Sequence, residues 1–309
     1  MTKGGVSYSK KTNIHTFLSV FMCEVISLLK ESDKVRTSET YTTTLNSFMR
    51  FREGKDILLK EIDSELMEAY EFYLKRKGIS MNSISFYMRI LRAVYNRAVD
   101  KELVVQCYPF RHVYTGIEKT IKRAIPFSIV KQIKELDLGC NTALDYARDM
   151  FLFSFYTRGM SFVDMAYLKK KDLNNDVLSY RRKKTGQRLF IRWESCMQDL
   201  LSKYPVNDTC YLLPIIQKRD CDERQQYKSA IFMVNRNLKI IGNRLNLPIS
   251  LTMYVARHSW ASIARSKSIP ISVISEGMGH NSESTTQIYL ASLDTTVVDK
   301  ANQLILESL

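Results

Sequence analysis

Apolar side chains recur at helical spacing through the N-terminal third of the chain. From Ile14, the positions Phe17, Leu18, Phe21, Met22, Val25, Leu28 and Leu29 fall three or four apart and lay one stripe along an amphipathic helix. Tyr41, Leu45, Phe48 and Met49 mark a second helix, and Leu66, Met67, Tyr70, Tyr73 and Leu74 mark a third, with Asp63 placed to cap its N-terminus. A fourth opens after Ser80 and turns Ile84, Met88, Leu91 and Tyr95 inward, while Arg89, Arg92 and Arg97 share the opposite flank. Residues 1–106 therefore read as a compact four-helix unit with a basic side.

Periodicity lapses from Cys107 to Phe127, where Arg111, Lys119, Lys122 and Arg123 alternate with Gly116 and two prolines; residues 107–126 read as a basic linker. A second domain, 127–309, follows. Met150 to Tyr156 is apolar almost all round, as the central helix of a core must be. Val177–Tyr180 and Arg188–Arg192 read as two short strands joined through Lys183-Lys184-Thr185-Gly186-Gln187. Helical patterns return over Trp193–Ser202, Glu223–Leu245, Met253–Ser266 and Ile271–Gly277, and again near the C-terminus. The expected fold is mainly α with one small β-hairpin sheet.

With 309 residues, 45% of them apolar and 25% charged, the chain has the make-up of a folded globular protein of about two domains. Lys and Arg number 46 against 32 acidic residues, and the resulting +14 points to a polyanionic partner, nucleic acid first among them. Six cysteines show no metal-ligand spacing, and the start of the chain lacks a signal-peptide layout, so reduced thiols in a cytoplasmic protein are expected. The longest apolar stretch, Val20–Leu29, is broken by Glu24 and Ser27, which argues against a membrane role.

No phosphate-binding glycine loop, no paired histidines on a helix and no Gly-x-Ser-x-Gly elbow occurs. Instead, polar groups interrupt helical segments near the C-terminus: Arg257-His258, then Met278-Gly279-His280, then Tyr289, with 23 residues from Arg257 to His280 and nine from His280 to Tyr289. These motifs resemble the tyrosine recombinases, the phage-integrase type of site-specific DNA recombinase. Lys184-Thr185 on the hairpin resembles that family's β-hairpin lysine, and Tyr156 to Met165 resembles the segment that holds its first arginine. The resemblance implies a SAM-like core-binding domain and a mostly helical integrase-type catalytic domain that together clamp double-stranded DNA. It further implies four protomers acting on two DNA sites, in some systems with accessory DNA-bending proteins, and neither a metal nor a cofactor.

Two positions depart from the family pattern. Ser161 stands where the usual Gly-Leu-Arg has its arginine, and Arg158, three residues earlier, is the expected substitute. Tyr254 replaces the histidine three residues before the second arginine; it can donate a hydrogen bond but carries no positive charge near neutral pH. His258 is a structural residue or a partial stand-in. Arg181, Arg182 and Lys183 are either DNA-backbone contacts beside the turn or plain solvated cations.

The catalytic set implied by the resemblance is Arg158, Lys184, Arg257, His280 and Tyr289. Tyr289 would attack a phosphodiester and keep its energy in a 3′-phosphotyrosine bond. The arginines and His280 would neutralise the phosphorane, and Lys184 would protonate the departing 5′ oxygen. The implied function is integration or excision of a mobile element, or inversion of a segment. Two alternatives stay open at this level: a DNA-binding protein whose active site has decayed, and a type IB topoisomerase-like relaxing enzyme.

Overall fold

The computed structural model describes residues 16–118, 123–290, 303 and 305–307, with the backbone alone at 288 and 289. The chain divides into two compact units, residues 1–120 and 121–309.

The first unit is built from α1 (Leu18–Glu31), α2 (Val35–Phe51), α3 (Ser64–Arg76) and α4 (Met81–Asp100). Local chemistry sets several ends. The Asp63 carboxylate accepts from the Leu66 amide at 2.8 Å and Glu65 occupies the first turn of α3, while Lys75 and Arg76 occupy the last, so both ends suit the helix dipole. Ser80 caps α4, whose Ile84, Met88, Leu91 and Tyr95 are buried together with Phe48 and Tyr70. Burying side chains of this size stabilises the unit by about 1.5–3 kcal/mol each. Leu28, counted with the α1 stripe, is half exposed; Ile26 is buried instead, because the stripe centres on Leu18, Met22 and Val25 and Leu28 lies at its margin.

The stretch expected to be a linker is partly built into this unit. Phe110 and Val113 are buried in its core, and Ser85 Oγ donates to the Gly116 carbonyl at 2.6 Å. Asn82 closes a two-way pair with the backbone of Glu118. Lys119 and Lys122 lie outside the described residues.

The second unit contains α5 (Phe127–Glu135), α6 (Thr142–Tyr156), the short α7 (Phe162–Ala166), α8 (Ser195–Ser202), α9 (Glu223–Arg244), α10 (Met253–Ser266), α11 (Ile271–Met278) and α12 (Glu283–Leu290). As its composition requires, α6 is central: Met150, Phe151, Leu152 and Phe153 are buried, and the helix packs on α9 and α10. A sheet of β1 (Leu173–Asn174), β2 (Val177–Arg181) and β3 (Arg188–Arg192) runs antiparallel in that order. Leu178 pairs with Ile191 and Tyr180 with Leu189, which sends alternate side chains of both long strands into the core. Among the described residues, the two-residue β1 is the one strand added to the hairpin predicted from sequence.

Among the described residues no helix is long and apolar enough to cross a membrane, and the six cysteines are free thiols.

Candidate active site

Arg257, on α10, is only 6% exposed, and its guanidinium is held by backbone. Nη1 donates to the Gly159 carbonyl at 2.7 Å and Nη2 to the Met278 carbonyl at 2.7 Å. Gly159 lies in the α6–α7 turn at φ +75°, and a Cβ there would sit 2.7 Å from the Arg257 Cα. Only glycine permits that backbone conformation and that approach together.

His280 follows directly on the end of α11. Gly279, at φ +65°, closes the helix in the left-handed conformation, with Gly279 N donating to Glu276 O and His280 N to Ser275 O. The His280 ring then lies between two partners: Nε2 is 3.0 Å from Arg257 Nη2, and Nδ1 is 2.7 Å from Thr286 Oγ1. A guanidinium nitrogen can only donate, so Nε2 accepts and the proton sits on Nδ1, donated to Thr286. Burial, then the neighbouring charges of Arg257, Arg182 and Lys184, push the His280 pKa down to about 4. The imidazole is therefore neutral in the free protein and serves to orient Arg257.

The hairpin turn supplies the other wall. It closes through Arg182 N donating to Gln187 O and Gly186 N donating to Arg182 O, both at 2.8 Å. Its base is fixed by Asp164 of α7, buried at 4%, whose Oδ1 accepts from Lys183 N at 2.8 Å. The other Asp164 oxygen accepts from Ser161 Oγ at 2.6 Å, and Ser161 also caps α7. Ser161, at the usual arginine position, is thus engaged in local structure. From this turn Lys184 is exposed, whereas Arg182 is buried at 6% and donates from Nη1 to the Gly279 carbonyl at 2.6 Å.

These groups line one cavity of about 600 Å³, whose walls include Arg182, Lys184, Arg257, His280, Ser161 and Tyr254. Three of the five residues singled out from sequence, Lys184, Arg257 and His280, are brought together there. Arg158 is not on the wall. It is held at φ +60°, half-buried, and its Cδ lies 3.6 Å from the point a Cβ on Gly277 would occupy, so its side chain packs along α11 instead. The backbone of Tyr289 falls on α12, and its side chain lies outside the described residues. Tyr254 is 54% exposed at the cavity and meets the His258 ring edge-on, centroids 4.2 Å apart.

Arg182 is the member of the cavity that a reading of motifs passes over. Unlike its exposed neighbours Arg181 and Lys183, it is not a solvated cation. The signal available in the sequence is strand alternation: Leu178 and Tyr180 point inward, and Arg182, the first residue past β2, continues the same period of two.

Residues 130–296 match the phage integrase family, and residues 17–113 match the phage integrase SAM-like domain. A tyrosine recombinase XerC of Bacillus licheniformis is 26% identical over 293 residues, covering 90% of this chain and 92% of that protein. In fold, the chain is similar to a lambda integrase dimer bound to a COC′ core site, with a TM-score of 0.68 at 14% identity over 89% of this chain and 77% of that one. It is similar also to a lambda integrase tetramer bound to a Holliday junction, with a TM-score of 0.64 at 13% identity over 90% and 78% of the two chains.

Proposed function

Since this chain belongs to the phage integrase family of tyrosine recombinases, we propose that it cuts and rejoins double-stranded DNA at specific sites through a covalent bond between Tyr289 and a 3′ phosphate. The observation that carries this reading is the convergence of Arg257, His280 and Lys184, from three separate elements, on one cavity beside the helix that bears Tyr289.

In the proposed reaction the Tyr289 oxygen attacks phosphorus and releases its proton to solvent as the bond to the 5′ oxygen breaks. Lys184, on the exposed turn, gives a proton to that oxygen. The released 5′ hydroxyl of a partner strand reverses the step, so the phosphodiester energy is conserved without a nucleotide cofactor. Arg257 grips non-bridging oxygens with a guanidinium whose direction is fixed before DNA arrives, and such preorganisation is what stabilises a developing charge. His280 changes role when DNA binds: burial is the first cause of its low pKa, and the phosphodiester's negative charge offsets the second, the cations Arg257, Arg182 and Lys184, which raises the ring's readiness to take a proton and donate. Arg158, off the cavity wall, is left outside this set.

We take the productive assembly to be four protomers on two DNA sites, a reading supported by the fold's similarity to a lambda integrase tetramer bound to a Holliday junction, and accessory DNA-bending proteins remain part of the proposal. Integration, excision and inversion share this chemistry; the arrangement of sites flanking the coding sequence separates them.

The test uses duplexes made from that flanking DNA, each nicked so that the cleaved end is lost and the intermediate accumulates. A covalent adduct on denaturing electrophoresis that disappears in Tyr289→Phe, with binding retained, supports the reading. Binding without any adduct would leave a DNA-binding protein with a decayed site. Relaxation of supercoils by isolated protomers on any sequence would instead favour a topoisomerase.

A further inference from the structure

The buried guanidinium of Arg182 has fewer hydrogen-bond partners than its burial calls for. Nη1 donates to Gly279 O, but Nε is enclosed without a hydrogen-bond partner, and none of the ion pairs among the described residues includes Arg182. Taking a guanidinium out of water without an anion is costly, and the usual resolution is a paired charge. Arg182 lines the cavity that holds Arg257, and the two are mounted alike: a glycine carbonyl, Gly159 for Arg257 and Gly279 for Arg182, fixes one terminal nitrogen of each.

The scaffold around Arg182 is specific. Asp164 ties the backbone of Lys183 to α7 and thereby sets the height of the flanking residues, Arg182 and Lys184, over the cavity. Thr185 Oγ1 donates to the same Gly279 carbonyl at 3.3 Å, which holds the turn against the α11 terminus. At Gly279 a Cβ would come within 3.2 Å of the Arg182 Cδ, so the close seating of this side chain depends on glycine there. By contrast Arg158 lies off the wall, and Ser161 is occupied by Asp164.

We propose that Arg182 supplies the second guanidinium for the scissile phosphate, the role that the sequence motifs assign to Arg158. The proposal rests on the recombinase reading of this cavity. The anion it takes is a single phosphodiester, gripped from the hairpin side by Arg182 and from the α10 side by Arg257.

Two measurements test it. In the first, full-length protein is melted in increasing inorganic phosphate at constant ionic strength. Arg182→Ala should raise the phosphate concentration needed for half of the stabilisation by about tenfold or more, the worth of a hydrogen bond to a charged group, with Arg158→Ala near wild type. In the second, adduct formation on the nicked duplex should fall about 10²- to 10³-fold in Arg182→Ala and little in Arg158→Ala. The deficit should shrink on a duplex with a methylphosphonate at the cleaved position, where the charge to be neutralised is gone; a merely structural defect would persist there. If Arg182→Ala does not fold, Arg182→Lys, which keeps the charge but loses the planar fork, is measured in both assays against the same criteria. Near-normal phosphate response and cleavage in the Arg182 variant, losses that follow Arg158 instead, or a deficit unchanged on methylphosphonate would each overturn the proposal. Should wild type form no adduct while phosphate binding still depends on Arg182, the recombinase reading fails and the anion site stands.

Discussion

Replacing Gly159 with alanine tests whether the α6–α7 turn really presses on Arg257. Two costs arise from the geometry. The residue sits at φ +75°, where a Cβ costs about 1–2 kcal/mol. That Cβ would also lie 2.7 Å from the Arg257 Cα and 2.8 Å from its Cγ, well inside van der Waals contact. The Cα is backbone and the Cγ belongs to a buried side chain anchored at its far end, so relief requires backbone movement, and overpacking of this kind costs about 1–3 kcal/mol more. The expected loss is thus about 2–5 kcal/mol. Gly139 provides the control: it has φ +58° but nothing within 4 Å of an added Cβ, so Gly139→Ala should lose only the backbone cost of about 1–2 kcal/mol. Urea denaturation followed by tryptophan fluorescence suits the comparison, because Trp193 and Trp260 are the only tryptophans and both lie in the second unit. Cleavage should fall by about a hundredfold in Gly159→Ala, since a shift near 1 Å in a positioning group has that effect, and should be unaffected in Gly139→Ala. Equal stability losses in the two variants, or normal cleavage by Gly159→Ala, would refute the close-approach argument.

Thr286→Val removes the acceptor for His280 Nδ1–H inside the fold, where Thr286 is fully buried; cleavage should drop about 10- to 100-fold while DNA binding holds, as measured by adduct formation and gel shift. For pH, the folded His280 pKa of about 4 lies below the ordinary 6.5, so between those values the unfolded chain binds a proton that the folded chain does not. Stability should therefore fall as pH drops from about 6.5 to about 4, and the slope in urea titrations should be shallower in His280→Asn. Binding to duplex DNA should weaken with salt by about 0.9 log unit per neutralised phosphate for each log unit of salt, and a flat response in a filter-binding series would contradict a basic contact surface.

Helix positions were legible because burial follows period: the Ile84, Met88, Leu91 and Tyr95 stripe is buried as read, and Asp63 caps α3 as read. That Arg257, His280 and Lys184 share one cavity was legible because short motifs fix them on helix and turn. The position of Arg158 off the cavity wall was not, since spacing along a presumed helical turn takes no account of the left-handed backbone at residues 158 and 159, and its side chain lies against α11. Arg182 was hidden for the opposite reason. Among Arg181, Lys183 and Lys184 it looks like one more surface cation, and only the continuation of the strand's inward face past Arg181 sets it apart. The burial of Phe110 and Val113 likewise has no periodic signature, because irregular chain packs by single anchors.

One peptide oxygen joins the two ends of the proposed reaction. The Gly279 carbonyl receives both Arg182 and Thr185 from the hairpin, and the residue after it is His280, three positions ahead of α12. On the proposed roles, leaving-group assistance and nucleophile delivery are geared to a common pivot, and a substitution that shifts the pivot retunes acid and attacker at once. Improvement of either function alone has to come from side chains beyond it.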